Sequence, residues 1–136
     1  MAAAPDRVAH VSEIVTPLAE EPGKASWRAV RRHFDIASFG VAAYTGRAAG
    51  DVLSGDHTEA DTRHEELFFV AAGRAAIRVG EEMVDAPAGT FVYVSDPEVV
   101  RGATALAPDT TLLAVGGEPG KAFEVSSWEK QYAGDE

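Results

Sequence analysis

The sequence contains no cysteine, few basic residues and no long apolar run. The absence of cysteine excludes disulfide bonds, thiolate metal ligands and a cysteine nucleophile, and it argues against a small secreted scaffold, which usually depends on disulfides. No apolar segment approaches the roughly 20 residues that a membrane-spanning helix needs. The first residues also lack the basic stretch and apolar run that mark a signal peptide. These absences predict a soluble, cytoplasmic protein.

The charge balance is strongly acidic. Twelve Lys and Arg residues stand against 22 Asp and Glu residues, which gives a formal net charge of -10. Such a surface repels phosphates, so nucleic acid is not an expected partner. The one basic cluster is Arg28, Arg31, Arg32 and His33, which we interpret as the solvated face of a short helix.

The length of 136 residues suits one domain. We divide the chain into an N-terminal arm and short helix at 1–35, a barrel at 36–120, and a C-terminal segment at 121–136 that packs on the barrel. Within the arm, residues 8–11 predict a short strand. The apolar spacing of residues 27–34 predicts one or two helical turns, with a strand as the alternative.

From residue 38 onward, short strands alternate with turns that contain glycine or proline. The strands are predicted at 38–45, 65–72, 74–79, 83–86, 90–95, 99–106 and 110–115. Without an alternation of strands and helices, this pattern indicates an all-β sandwich or barrel. A capping serine at position 126 predicts a short helix near the C-terminus, which Trp128 would anchor.

Several motifs in the central part resemble those of the cupin family. Glu66–Gly73 matches the end of the first cupin signature, E-x6-G, and Gly89 opens the second, G-x5-P-x-G-x2-H-x3-N. The chain is most similar to small single-domain bacterial cupins, through His64–Phe68, Ala86–Thr90, Ala114–Gly117 and Ser127–Glu129. This resemblance implies an antiparallel jelly-roll β-barrel with short peripheral helices, and a homodimer.

The metal ligands that the resemblance implies are mostly absent. Metal-binding cupins place three histidines and one glutamate inside the barrel. The aligned positions of the three histidines hold Ala60 and Thr62, or Glu59 and Asp61, and then Val100. Only Glu66 remains of the four ligands, so the site is degenerate or displaced.

A displaced site can nevertheless be assembled from nearby residues. His64 lies two positions before Glu66, so in a strand the two side chains share a face. His57 and Glu59 would join them if the preceding loop is longer than usual. His57, Glu59, His64 and Glu66 would then suit one divalent metal, Zn, Fe, Mn or Ni. The alternative interpretation is an acidic, solvated loop and a barrel without metal.

Other polar and aromatic residues are also candidates. Glu66 beside His64 could serve as a general acid–base pair, because burial raises the pKa of a carboxyl unless it is paired. Arg101 could bind an anionic ligand if a bulge or register shift turns it inward, and otherwise forms a surface ion pair. Tyr44 and Tyr93 line either the cavity or the outer face. Phe68, Phe91 and Tyr93 are interpreted first as packing residues.

Three hypotheses for the function follow. In the first, the barrel binds a small molecule without the usual metal, and Glu66, His64 and Arg101 orient it. In the second, the displaced site binds a divalent metal and supports oxygenase, isomerase or cyclase chemistry on a small metabolite. In the third, Glu66 and His64 catalyse acid–base chemistry without a metal.

Overall fold

The computed structural model of this chain describes residues 7–14 and 16–132, so the predictions made for the remaining positions lie outside the described residues. These residues form two short α-helices, α1 (Val30–Phe34) and α2 (Ser127–Lys130), and one 3₁₀ turn at Val11–Glu13. They also form nine strands: β1 (Ser26–Arg28), β2 (Gly40–Thr45), β3 (Val52–His57), β4 (Glu65–Ala72), β5 (Arg74–Val79), β6 (Glu82–Pro87), β7 (Phe91–Val94), β8 (Arg101–Ala105) and β9 (Thr111–Gly117).

The strands form two antiparallel sheets. One sheet has the order β1-β2-β9-β4-β7, and the other has the order β3-β8-β5-β6. Within the described residues, no strand joins the two sheets into one closed barrel. The all-β, jelly-roll fold class predicted from the sequence is confirmed, with two facing sheets and short peripheral helices.

The core lies between the sheets and follows the two-residue alternation of the strands. In β4, Phe68 and Val70 point into the core and are fully buried. Leu67, the residue before Phe68, points to the other face and is 36% exposed. Burial of one such apolar side chain stabilises the fold by roughly 1.5–3 kcal/mol. The remaining buried core residues are Leu53, Ala75, Ile77, Ala86, Val94, Ala103, Ala105, Leu112 and Ala114.

The pairing of β3 with β8 is irregular, and this irregularity positions the site. The register shifts between Val52 and Ser54 and again between Ser54 and His57, which ends the pairing opposite Arg101. Gly102 allows the close approach, because a Cβ at that position would lie 2.2 Å from Asp56 Oδ1. The shifts bring His57 and Arg101 side by side at one end of the sheet.

The sequence predictions differ from the structure in three segments. Residues 8–10 form no strand, and a 3₁₀ turn follows them. Trp27 lies in β1, so the predicted helix begins only at Val30. The strand β3 was not predicted, and its last two residues, Asp56 and His57, belong to the acidic loop of the alternative interpretation. The division of the chain into three segments at residues 35 and 120 stays a prediction. Among the described helices, none is long and apolar enough to cross a membrane.

Candidate functional site

A cavity of about 650 Å³ lies against strands of both sheets. Its walls come from β1, β2, β3, β4 and β9, from the segment before β1, from the loop between β3 and β4, and from the C-terminal segment. One part of the lining is apolar and aromatic, and another part carries polar side chains. The residues that we discuss below from this lining are Trp27, Ala42, Tyr44, His57, Glu59, Asp61, Thr62, His64, Glu66, Phe123, Trp128 and Glu129.

An ion pair between Glu66 and Arg101 joins the two sheets across the interior. Arg101 Nη1 donates to Glu66 Oε1 at 3.1 Å. The Arg101 side chain is completely buried, and 14% of the Glu66 side chain is exposed. Burial raises the pKa of Glu66, and the nearby Glu59 raises it further, while the hydrogen bond from Arg101 lowers it. The predicted inward orientation of Glu66 therefore agrees with its position in the structure.

Arg101 faces inward, although the motif alignment had placed it on the face opposite Val100. Arg101, Ala103 and Ala105 are the buried positions that share one face of β8. The guanidinium donates through Nε to the carbonyl oxygen of Val99 at 2.9 Å and through Nη2 to that of Asp96 at 2.8 Å. The alternative of a surface ion pair is therefore wrong, because this side chain has no exposed surface.

His57 and Glu59 form a second pair beside the first. His57 Nε2 lies 2.8 Å from Glu59 Oε2, and His57 Nδ1 lies 2.8 Å from the carbonyl oxygen of Gly55. Because both ring nitrogens face acceptors, only the doubly protonated imidazolium satisfies both contacts. The hydrogen bond to Glu59 accordingly raises the pKa of His57.

Glu59 is held in the ionised form despite its burial. Burial alone would raise its pKa, but hydrogen bonds from His57 and Thr62 lower the pKa below its ordinary value. The Thr62 hydroxyl donates to Glu59 Oε1 at 2.8 Å. Glu59 and Glu66 are therefore neighbouring carboxyls whose pKa values are shifted in opposite directions, an arrangement often found at functional sites.

Three of the four predicted metal ligands converge. His57, Glu59 and Glu66 each offer one ligand atom, and these atoms all lie within 4.8 Å of one another. His64 does not belong to this group. Its Nδ1 lies 3.7 Å from Glu59 Oε1, and its ring packs against Phe123 with 5.4 Å between the centroids.

One imidazole and two carboxylates form a donor set that suits Zn, Fe or Mn and leaves coordination positions for water or a ligand. The residues present thus fit a divalent metal. In the structure as described, His57 Nε2 instead contacts Glu59, and Arg101 already pairs with Glu66. A metal would therefore have to replace the proton on His57.

The tyrosines and phenylalanines separate into inner and outer positions. Tyr44 lines the cavity, where burial and the nearby Glu66 and Glu59 raise the pKa of its hydroxyl far above the ordinary value. Tyr44 therefore stays neutral and can donate a hydrogen bond. Phe68 is a core residue, as predicted. Phe91 and Tyr93 are 63% and 57% exposed on the outer face, so neither contributes to the cavity and neither is a core residue.

Part of the cavity wall comes from aromatic residues that the sequence patterns did not assign to a site. Trp27 packs on Trp128 of α2 with 5.0 Å between the ring centroids. Glu129 accepts a hydrogen bond from Arg31 at 2.8 Å, which fixes α2 to α1. No spacing within the sequence relates Trp27 to Trp128, because the two residues lie in segments at opposite ends of the chain.

Comparison with known proteins identifies similar structures but no similar sequences. No protein-family model matches the chain, and no curated protein matches it by sequence. KdgF from Halomonas sp. is 18% identical, with a TM-score of 0.58 over 73% of this chain and 83% of that chain.

Two further solved structures cover more of the chain. An uncharacterised protein with a double-stranded β-helix domain from Klebsiella pneumoniae is 18% identical, with a TM-score of 0.62 over 86% of this chain and 93% of that chain. An RmlC-like cupin from Shewanella frigidimarina is 12% identical, with a TM-score of 0.59 over 85% of this chain and 94% of that chain. At these identities the likeness shows the fold alone.

Proposed function

Because the chain has the cupin fold, we propose that it binds a small molecule in the cavity between its sheets. The observation that carries this proposal is the convergence of polar groups, among them Glu66 and Tyr44, on one part of a largely apolar cavity. Concave, largely apolar sites with a few fixed polar groups are the usual form of small-molecule sites. Glu66 and Tyr44 would orient the ligand, and Glu59 and His64 lie beside them in the same lining.

A substitution that fills the cavity tests this proposal. Ala42 lines the cavity from β2, so Ala42→Phe should abolish binding by occupying the space of the ligand. The matched control is Ala71→Phe, since Ala71 is exposed on β4 and does not line the cavity. A metabolite library is screened by thermal shift against all three proteins. Compounds that stabilise the wild type and Ala71→Phe should not stabilise Ala42→Phe. Retained stabilisation in Ala42→Phe, or no stabilising compound for the wild type, would contradict the proposal.

A divalent metal-dependent enzyme is the second candidate function. The convergence of His57, Glu59 and Glu66 ligand atoms within 4.8 Å favours it. When bound there, a metal would supply Lewis-acid chemistry for an isomerase or cyclase, or, if it is redox-active iron with O2 as co-substrate, the chemistry of an oxygenase. The residues themselves would supply one neutral imidazole and two carboxylates, while Thr62 would continue to hold Glu59 in position.

Metal titration of metal-stripped protein tests this second candidate. We expect one Zn²⁺ or Mn²⁺ per chain by calorimetry, and a loss of at least about tenfold in affinity for His57→Ala and Glu59→Gln. His10→Ala is the matched control, because His10 is exposed and does not line the cavity. His64→Ala should retain the metal, since its side chain lies outside the ligand group.

The affinity should also fall as the pH falls. His57 has a raised pKa, so its protonated form competes with the metal at pH values below that pKa, which lies above the ordinary value of about 6.5. Metal binding that is unaffected by both His57→Ala and Glu59→Gln would exclude the metal site described here. Metal affinity that does not fall on acidification would exclude it as well.

We also propose that two copies of the chain pair through the outer face of the five-stranded sheet. Leu67 and Tyr93 face each other on β4 and β7, and Phe69 packs on Phe91 with 4.4 Å between the ring centroids. These residues form an apolar surface, of which Phe91 is 63% exposed. Exposed apolar patches of this kind mark interaction sites.

The cytoplasmic location predicted from the sequence stays a prediction.

A charge placed on this surface should yield a monomer. Phe91→Lys would bury an unpaired ammonium in the interface, and light scattering after size exclusion should then report half the mass of the wild type. Met83→Lys is the control, because Met83 is 65% exposed on β6 of the other sheet and should leave the dimer intact. A wild type that is monomeric at high concentration would refute this pairing.

A further inference from the structure

We infer that the cavity selects an organic ammonium ion. Such a ligand is a small molecule with an apolar body and a protonated amine, and the amine donates a hydrogen bond to the carboxylate of Glu66. This inference rests on the proposed small-molecule function and names the class of ligand. It depends on which charged side chains line the cavity and on which of them already have hydrogen-bond or ion-pair partners within the protein. It also depends on the aromatic residues that form another part of the wall.

The first step is that Arg101 cannot serve as a receptor for an anion. Its side chain is completely buried, and each of its three nitrogens donates to a protein oxygen, on Glu66, Val99 or Asp96. No arginine is among the described residues that line the cavity. Lys24, the one lysine among these described lining residues, is 63% exposed and pairs with Glu21. An anionic ligand would therefore find no arginine and no unpaired lysine in this wall.

The second step is that the histidine nearest to Glu66 is also committed. Both ring nitrogens of His57 already have acceptors, Glu59 Oε2 and the Gly55 carbonyl oxygen, each at 2.8 Å. Glu59 in turn accepts from Thr62 through its other oxygen. The pair of His57 and Glu59 is therefore internally satisfied and offers little to a ligand.

The third step is that Glu66 retains an acceptor. Oε1 accepts from Arg101, while Oε2 accepts no hydrogen bond from the described residues. Because 14% of this side chain is exposed and it lines the cavity, a ligand can reach it. A carboxylate can accept several hydrogen bonds and binds a cationic donor more strongly than a neutral one.

The fourth step is the aromatic part of the wall. Trp27, Tyr44, Phe123 and Trp128 all line the same cavity as Glu66. Aromatic rings bury apolar groups well, and their faces also attract cations. An ammonium ion with an aromatic or aliphatic body suits both Glu66 and the aromatic residues of the wall, whereas Glu66 would repel a carboxylate.

Three probes of similar shape and different charge test the inference. Phenethylammonium, phenethyl alcohol and hydrocinnamate are titrated into metal-stripped protein in the presence of a chelator, and binding is followed by ligand-detected NMR. We expect phenethylammonium to bind at least about tenfold more tightly than the alcohol, and hydrocinnamate to bind most weakly. This order is measured on the wild type and requires no variant.

Two variants then locate the selectivity. Glu66→Gln should reduce the preference for the ammonium over the alcohol to about twofold or less while the alcohol still binds. Asp61→Asn is the matched control, because Asp61 is an exposed carboxylate of the same lining and its loss should leave the preference intact. An equal loss of preference in both variants would indicate only a general acidic field and would overturn the role of Glu66.

The outcomes separate this inference from the function on which it rests. If hydrocinnamate or the alcohol binds as tightly as the ammonium, the ammonium inference is wrong while small-molecule binding stands. If no probe binds and the metabolite library also gives no compound that Ala42→Phe excludes, both are wrong.

Discussion

Replacement of Arg101 by methionine should lower the free energy of unfolding by about 3–5 kcal/mol. The substitution removes the cation that Glu66 contacts at 3.1 Å and leaves a carboxylate that is 14% exposed without a charged partner on that oxygen. It also removes the Arg101 donors from the carbonyl oxygens of Val99 and Asp96, and the Asp96 oxygen then keeps only the amide of Val99. Urea denaturation followed by circular dichroism measures the loss.

The double variant Arg101→Met/Glu66→Leu separates the ion pair from general damage to the core. Replacing both members of a buried pair by apolar residues of similar size is often neutral or stabilising, whereas removing one member is not. We expect the double variant to recover most of the stability that Arg101→Met loses. A loss below about 1 kcal/mol in the single variant would mean that Glu66 and Arg101 are not paired in the folded protein.

Replacement of Gly73 by alanine should cost about 3 kcal/mol or more. Gly73 has a φ of +76°, and a Cβ there would lie 2.3 Å from Thr110 Oγ1 and 2.7 Å from Thr110 Cα. The left-handed conformation costs a residue with a side chain about 1–2 kcal/mol, and overpacking typically adds about 1–3 kcal/mol. Thr110 cannot easily move aside, because it is fully buried and its hydroxyl accepts from the amide of Arg74 at 3.2 Å.

Gly120→Ala separates the two contributions to this loss. Gly120 has a similar φ of +73°, but a Cβ there would meet nothing within 4 Å. It should therefore show only the conformational cost of about 1–2 kcal/mol. Thermal denaturation of both variants provides the comparison. Equal losses at the two positions would show that Thr110 does not restrict the space beside Gly73.

The sequence was most informative where strands are regular. The predicted bounds of β4 and β5 agree with the structure, because most residues of both strands are apolar and Gly73 separates the two strands. The strand β3 was missed because its residues, Val-Leu-Ser-Gly-Asp-His, include few strong strand formers. Its register also shifts twice against β8, so the two-residue alternation is lost there.

The same irregularities explain what could be predicted about the site. The inward orientation of Glu66 was implied by its place in the cupin signature, and Glu66 lies in the regular strand β4. The motif alignment left the orientation of Arg101 open, because a bulge or a register shift of one residue reverses the face of a strand. In the structure Arg101 shares the buried face of β8 with Ala103 and Ala105. The approach of His57 and Glu59 to Glu66 depends on the bulged pairing and the loop that follows it, which no spacing rule specifies.

The parts of the cavity wall differ in how firmly they are held in place. Most of it is built by paired strands, but Phe123 and Trp128 belong to the segment after β9, whose helix α2 has only four residues. A helix of this length is not stable by itself, so the contacts of Trp128 with Trp27 and of Glu129 with Arg31 keep it ordered. We therefore expect differences in ligand size to be accommodated by displacement of this segment, while the sheets keep the polar end of the cavity unchanged.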